Sequence, residues 1–284
     1  MESPSTWTSG TVTKWIPAMA DLRLALIALV LFGLAPAQSA AHQVEPTRVL
    51  LVGDSITAGR VGGNPDFPPY AVVLQELLGE KRFEVLNAGC DGSTIMDWTN
   101  PTPAPPMFCA FQGAFESKAV PLLPADIMTI MLGTNDSNGF FEFGCETPGW
   151  CPVNVETYHE RLLLLVEKAK SHGVRRVILS GPPPRLNSRQ AVWLRLEGYR
   201  IVTEKVCMDD RKVLCTESLF KLLGPDDFAD RFDPHPNVAG HQKIAEAFEP
   251  VVRRASRQVL REKSAEIFVR RLIQLLQRLN QRRH

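Results

Sequence analysis

A serine, a glycine, an asparagine and a histidine stand at four separated points of this 284-residue chain, each inside a short block of turn-forming residues. Ser55 lies in GDSITAG, Gly92 in NAGCDGST, Asn135 in LGTNDS and His235 in FDPHPNVAGH, where Asp233 precedes the histidine by two positions. A serine hydroxyl attacks poorly unless a base removes its proton, and imidazole is the common base for that task. Backbone N–H groups and a side-chain amide are the donors that hold the oxyanion formed when an acyl carbonyl is attacked. Ser55, His235, Gly92 and Asn135 are therefore the parts of a covalent acyl-transfer site, with the Ser55 and Gly92 N–H groups and the Asn135 amide as donors. Each block alone is ordinary turn or helix-cap chemistry. Only their joint placement carries the chemistry.

That placement follows from the elements between them. RVLLVG, FEVLNAG, IMTIMLG and RRVILSG, starting at Arg48, Phe83, Ile127 and Arg175, are apolar runs ending in glycine, and KVLCTES from Lys212 is a weaker one. Continuous apolar runs of this length are the pattern of strands buried on both faces of a parallel sheet. Helical patterns fill the gaps over residues 70–80, 155–173 and 188–206, the second ending in a glycine stop. The alternation predicts an α/β chain with a doubly wound, mostly parallel five-stranded sheet, whose ligands sit beyond the carboxyl ends of the strands. Ser55, Gly92 and Asn135 each fall just past such an end. His235 comes late, immediately before a further helical pattern.

The four blocks, in this order and at strand ends, resemble the SGNH or GDSL-type hydrolases, and they run from Gly53 to Gly240. The resemblance implies a flavodoxin-like, three-layer α/β/α sandwich and hydrolysis of acyl or acetyl esters through an acyl-enzyme, with no metal and no cofactor. It implies Ser55 as nucleophile, His235 as base, and Ser55, Gly92 and Asn135 as the oxyanion hole. The GxSxG elbow of other serine hydrolases is absent around Ser55. In the family the acid stands three residues before the histidine, a position held here by Phe232. Asp233 shares a face with His235 if the segment is extended, and Pro234 and Pro236 bias their predecessors that way. A backbone carbonyl and Asp230 are the alternatives, in that order. His241 reads as a packing residue, Asp54 and Asp136 as holders of loop geometry, and Asp91 as either.

Around this domain, expected over residues 42–262, two further segments differ in composition. Residues 24–34, LALIALVLFGL, follow Arg23 and precede APAQSAAHQ, the pattern of a cleaved secretory signal over residues 1–41, with Met19 as a possible start. That predicts a secreted or periplasmic protein, and six cysteines beyond the signal fit disulfides there. Cys145–Cys151 and Cys207–Cys215 are the short pairs, leaving Cys90 with Cys109. Residues 263–284 form a basic tail. It reads either as an amphipathic helix for a membrane or cell-envelope polymer or as a helix packed on the domain, and the leucine stripe favours packing. The remainder of the chain is mildly acidic, against a nucleic-acid partner. The expected partner is a small-molecule or carbohydrate ester. Trp98, Phe108, Phe140, Phe141 and Trp150, on loops spanning 97–112 and 138–153, are candidate pocket walls, and Arg185 a candidate at its edge. An acyltransferase or carbohydrate-binding protein on the same fold is the alternative function.

Overall fold

The computed structural model describes residues 45–63, 66–100, 113–137 and 152–282. The signal-like segment therefore lies outside the described residues. Five strands form one sheet: β1 Thr47–Gly53, β2 Phe83–Asn87, β3 Ile127–Met131, β4 Arg176–Ser180 and β5 Val213–Cys215. Their order is β2-β1-β3-β4-β5, and every pairing is parallel. Because β1 lies between β2 and β3, the crossovers leave it in opposite directions. The ends of β1, β2 and β3 are thus brought to one switch point at the carboxyl edge.

Helices cover both faces, which is why β1, β3 and β4 carry apolar side chains continuously rather than alternately. On one face Leu50, Val52, Met128, Ile130, Val177 and Leu179 meet helices α3 (Ile95–Thr99), α4 (Val155–Ser171) and α5 (Gln190–Asp209). On the other, Val49, Leu51, Ile127, Met131 and Ile178 meet α2 (Tyr70–Leu78) and α7 (Val238–Gln281). The short helices α1 (Ser55–Ala58) and α6 (Leu219–Leu222) complete the described set. The result is the three-layer α/β/α sandwich expected from the blocks.

Two of the long helices, α4 and α7, start on asparagine side chains. Asn154 caps α4 by accepting the Thr157 N–H at 2.7 Å. Asn237 caps α7 by accepting the Gly240 N–H at 3.1 Å, so the asparagine of FDPHPNVAGH is a helix start. The Cys207–Cys215 disulfide joins the end of α5 to β5. Cys90 is disulfide-bonded as well, whereas Cys109, Cys145 and Cys151 lie outside the described residues.

Of the two readings of the tail, the packed one is not what the described residues show. Helix α7 does not break at residue 262, and it continues to Gln281 with Leu272 half-buried and its other apolar residues beyond Glu266 exposed: Phe268 is 64% and Leu276 56% accessible. The leucine stripe does not pack because the body of the domain ends before it. The last ties are ionic, from Arg176 to Glu262, Lys263 to Asp126 and Arg175 to Glu266. Among the described residues no helix is long and apolar enough to cross a membrane.

The sheet's carboxyl edge tolerates no extra bulk where β2 runs past α1. A Cβ on Gly89 would stand 2.1 Å from the Ala58 nitrogen and 2.5 Å from its Cα, both backbone atoms that cannot swing aside. Overpacking of this kind costs about 1–3 kcal/mol. Gly89→Ala is therefore expected to lower unfolding stability by roughly 2 kcal/mol or more, measured by the urea midpoint at unchanged slope.

Candidate active site

Ser55 follows Gly53 and Asp54 off the end of β1 and is the first residue of α1. That helix has four residues, so the macrodipole expected there is slight, and what the turn provides is free N–H groups. Asp54 makes the turn: its buried carboxylate accepts the Ile56 N–H at 3.0 Å. The left-handed Gly59 (φ 117°) then ends the helix, with its N–H donated back to the Ser55 carbonyl at 3.1 Å.

The ends of β2 and β3 are sewn to this turn. Cys90 N–H donates to the Gly53 carbonyl at 3.0 Å, which brings the loop carrying Gly92 beside β1. Gly92 has φ 71°, a left-handed conformation that a side chain would strain. The Asn135 amide donates to the Ser93 carbonyl at 3.0 Å, orienting the side chain beside the Gly92 loop while leaving its second N–H uncommitted. Asp136 fastens the same ends by accepting the Ile95 N–H at 2.8 Å. Among the described residues the N–H groups of Ser55 and Gly92 have no acceptor within the fold. Ser55, Gly92 and Asn135 thus stand at one edge with donors to spare.

The histidine arrives from the far end of the chain. Ser55 Oγ lies 2.9 Å from His235 Nε2, and His235 Nδ1 lies 2.6 Å from Asp233 Oδ1. The same carboxylate oxygen accepts the His235 backbone N–H at 2.9 Å, so it grips both the ring and its main chain. Asp233 is the acid that meets the imidazole. Asp230 instead caps its own turn by accepting the Phe232 N–H at 2.8 Å, and Phe232, at the family's acid position, is 61% exposed. The one-residue shift is absorbed by a turn rather than by an extended segment: Asp233 Oδ1 closes on the His235 N–H two residues on, and the same oxygen meets the ring.

A residue that sequence reasoning missed makes this approach possible. Gly62 N–H donates to the Pro236 carbonyl at 2.9 Å, and a Cβ on Gly62 would stand 2.4 Å from the His235 carbonyl oxygen. The doublet at 62–63 after GDSITAGRV was its only signal. His241 is the second brace: fully buried, it accepts the Tyr70 N–H on Nδ1 at 3.0 Å and donates Nε2–H to the Arg60 carbonyl at 2.9 Å. Burial holds it neutral, with its pKa lowered to about 4. Asp91 binds Arg60 at 2.7 Å. Trp98 is no pocket wall: it is fully buried, its Nε1–H donated to Ser93 Oγ at 3.0 Å. Phe108, Phe140, Phe141 and Trp150 lie outside the described residues. Arg185 is half-buried, with Asp233 acting on it electrostatically. Burial lowers its pKa, opposed by that carboxylate.

A family model described as GDSL-like lipase/acylhydrolase matches residues 51–243, which holds all of these groups. The chain belongs to that family. It is an SGNH-type ester hydrolase. Among solved structures it is similar to an α/β hydrolase enzyme from the metagenome of Lake Arreo, Spain, at 25% identity and TM-score 0.54, covering 71% of this chain and 93% of that one. An acetylxylan esterase from Geobacillus stearothermophilus matches at 23% identity and TM-score 0.55 over 71% and 92% of the chains. A lipase/acylhydrolase from Enterococcus faecalis matches at 21% and 0.51 over 74% and 96%. The last two agree in fold alone. No curated protein matches the sequence.

Two braces of this hydrolase site titrate far from the usual carboxylate range. Burial raises Asp54 to about 7 and Asp136 to about 8, against 3.8 for an ordinary aspartate. The folded protein keeps these protons at pH values where the unfolded chain has released them. Their contribution is therefore fully present below pH 3.8 and is lost as pH rises towards 7 and 8. Asparagine mimics the protonated acid and still accepts the Ile95 N–H. Asp136→Asn is expected to flatten the fall in melting temperature between acid and mildly alkaline pH. Parallel melting curves for both proteins would assign the titration elsewhere.

Proposed function

We propose that this hydrolase cleaves carboxylic esters by a Ser55–His235–Asp233 triad through an acyl-enzyme. The observation that carries the reading is the unbroken line of two hydrogen bonds from Ser55 Oγ through the imidazole to Asp233. His235 Nε2 takes the hydroxyl proton as Oγ attacks the acyl carbon and the carbonyl π pair moves onto oxygen. Asp233 holds Nδ1 protonated, so Nε2 is the free base, and its charge stabilises the imidazolium. The Ser55 and Gly92 N–H groups with the second Asn135 N–H receive the oxyanion. Collapse expels the alcohol, which takes the proton from Nε2. Water then attacks the acyl-serine with His235 as base, releasing the acid and restoring Ser55.

The place of action we propose is outside the cytoplasm. The signal-like pattern over residues 1–41 supports it, and so does the Cys207–Cys215 disulfide, since such bonds persist in oxidising compartments. Acetyl and other short acyl groups on small molecules or carbohydrates are the substrates to test first. The acetylxylan esterase among the structural neighbours supports including acetylated sugars.

The test is hydrolysis of p-nitrophenyl esters graded by acyl length, beside acetylated sugars. Ser55→Ala is expected to abolish turnover. Asp233→Asn should lower kcat by on the order of 10⁴ and Asn135→Ala by roughly 10²–10³, each with the fold intact by circular dichroism. Unchanged activity in Ser55→Ala would overturn the mechanism. Near-normal turnover in Asp233→Asn would reduce the triad to a Ser–His dyad.

A further inference from the structure

The distal part of α7 is an exposed helical segment with no counterpart in the chemistry above. At about 100° per residue, Phe268, Val269, Leu272, Leu275, Leu276 and Leu279 gather on one side of it. Arg271, Arg278 and Arg282 form a row along one edge of that side, and Arg270 lies on the opposite side. From Ile267 to Gln281 the helix runs for roughly 22 Å at 1.5 Å per residue. Beyond Glu266 no side chain of the helix makes a hydrogen bond or ion pair with the body among the described residues. The segment thus has a wide apolar side, a basic edge and, among the described residues, no cover.

Charge decides what fits it. No aspartate or glutamate follows Glu266 in the sequence, while five arginines do. Two copies pressed antiparallel on the leucine side would bring arginines near arginines, and a parallel pair would set them against the Val269 and Ile273 edge, in neither case with a carboxylate to offset them. An anionic polymer would answer the arginines and leave Phe268 and the leucines in water. An anionic lipid surface answers both: acyl chains take the apolar side, and arginines at its edge extend to the phosphates. We infer that residues 267–281 form a peripheral docking helix for a membrane surface containing anionic phospholipid. The tail begins about 30 residues along α7 from the triad loop, about 45 Å at the helical rise. It therefore tethers the hydrolase without entering its site.

The test is co-sedimentation of the full chain with phosphatidylcholine vesicles, with and without phosphatidylglycerol. Residues 24–34 can insert on their own, so the reading is the difference between variants that share them. The wild type is expected to partition to phosphatidylglycerol vesicles, more weakly at high salt. Leu272→Gln/Leu276→Gln should lower the partition coefficient at least tenfold, and each of Arg271→Gln and Arg278→Gln about fivefold. All variants should hydrolyse a soluble ester at the wild-type rate, which shows that they fold. Equal partition of wild type and variants would overturn the proposal. So would a wild-type dimer by light scattering that Leu272→Gln/Leu276→Gln dissociates, with no vesicle binding by either protein.

Discussion

His235 and Ser55 are 180 residues apart in sequence, and their 2.9 Å contact depends on how the start of α7 is docked. Two constraints set that docking. Ile244, Ala245, Phe248 and Val252 bury one side of the helix against the sheet and α2, which fixes the axis. His241 then fixes rotation and height, since its two ring nitrogens bond the Tyr70 N–H and the Arg60 carbonyl in a buried space. A buried imidazole that lost either partner would bear the cost of an unsatisfied polar group. The six residues before His241, including the triad histidine, inherit their position from this anchor. The motif carries both the histidine that meets Ser55 and its own docking residue.

The other half of the site is governed by close backbone approach. The Gly62 nitrogen bonds the Pro236 carbonyl, and the Gly89 backbone passes Ala58 with no room for a methyl group. Such contacts exist only between glycines and their neighbours, so they set the spacing of loops more rigidly than side-chain packing would. Asp54 and Asp136 complete the frame as buried groups whose pKa values burial raises to about 7 and about 8. They bind the Ile56 and Ile95 N–H groups.

Much of this was legible in the residues. Four glycine-terminated apolar runs located β1 to β4 to within two residues, because strands covered by helices carry few polar residues to blur them, whereas KVLCTES overshot the end of β5 by three. Turn blocks placed Ser55, Gly92 and Asn135 at strand ends, since a sheet's carboxyl edge is where a chain must turn. Trp98 was misread because a loop aromatic looks the same whether it faces a pocket or the core, and the Ser93 hydroxyl that binds its indole N–H is identifiable only in space. The tail left two readings open for a related reason. An apolar stripe records that a helix has something to bury, but not whether the domain extends far enough to bury it.

The sequence by itself determined the class of chemistry, the sheet and which residues stand as candidates for nucleophile, base and oxyanion donors, because these depend on residue type and local periodicity. Tertiary structure decided which acid serves the histidine. Asp233, Asp230 and a carbonyl were all compatible with the spacing, and the choice rested on backbone direction between Pro234 and Pro236 and on the Phe232 N–H that occupies Asp230. It also decided the parts played by Gly62 and His241, whose partners lie far away in the chain. A contact between distant segments leaves no periodic trace in either one, so only the folded chain could assign it.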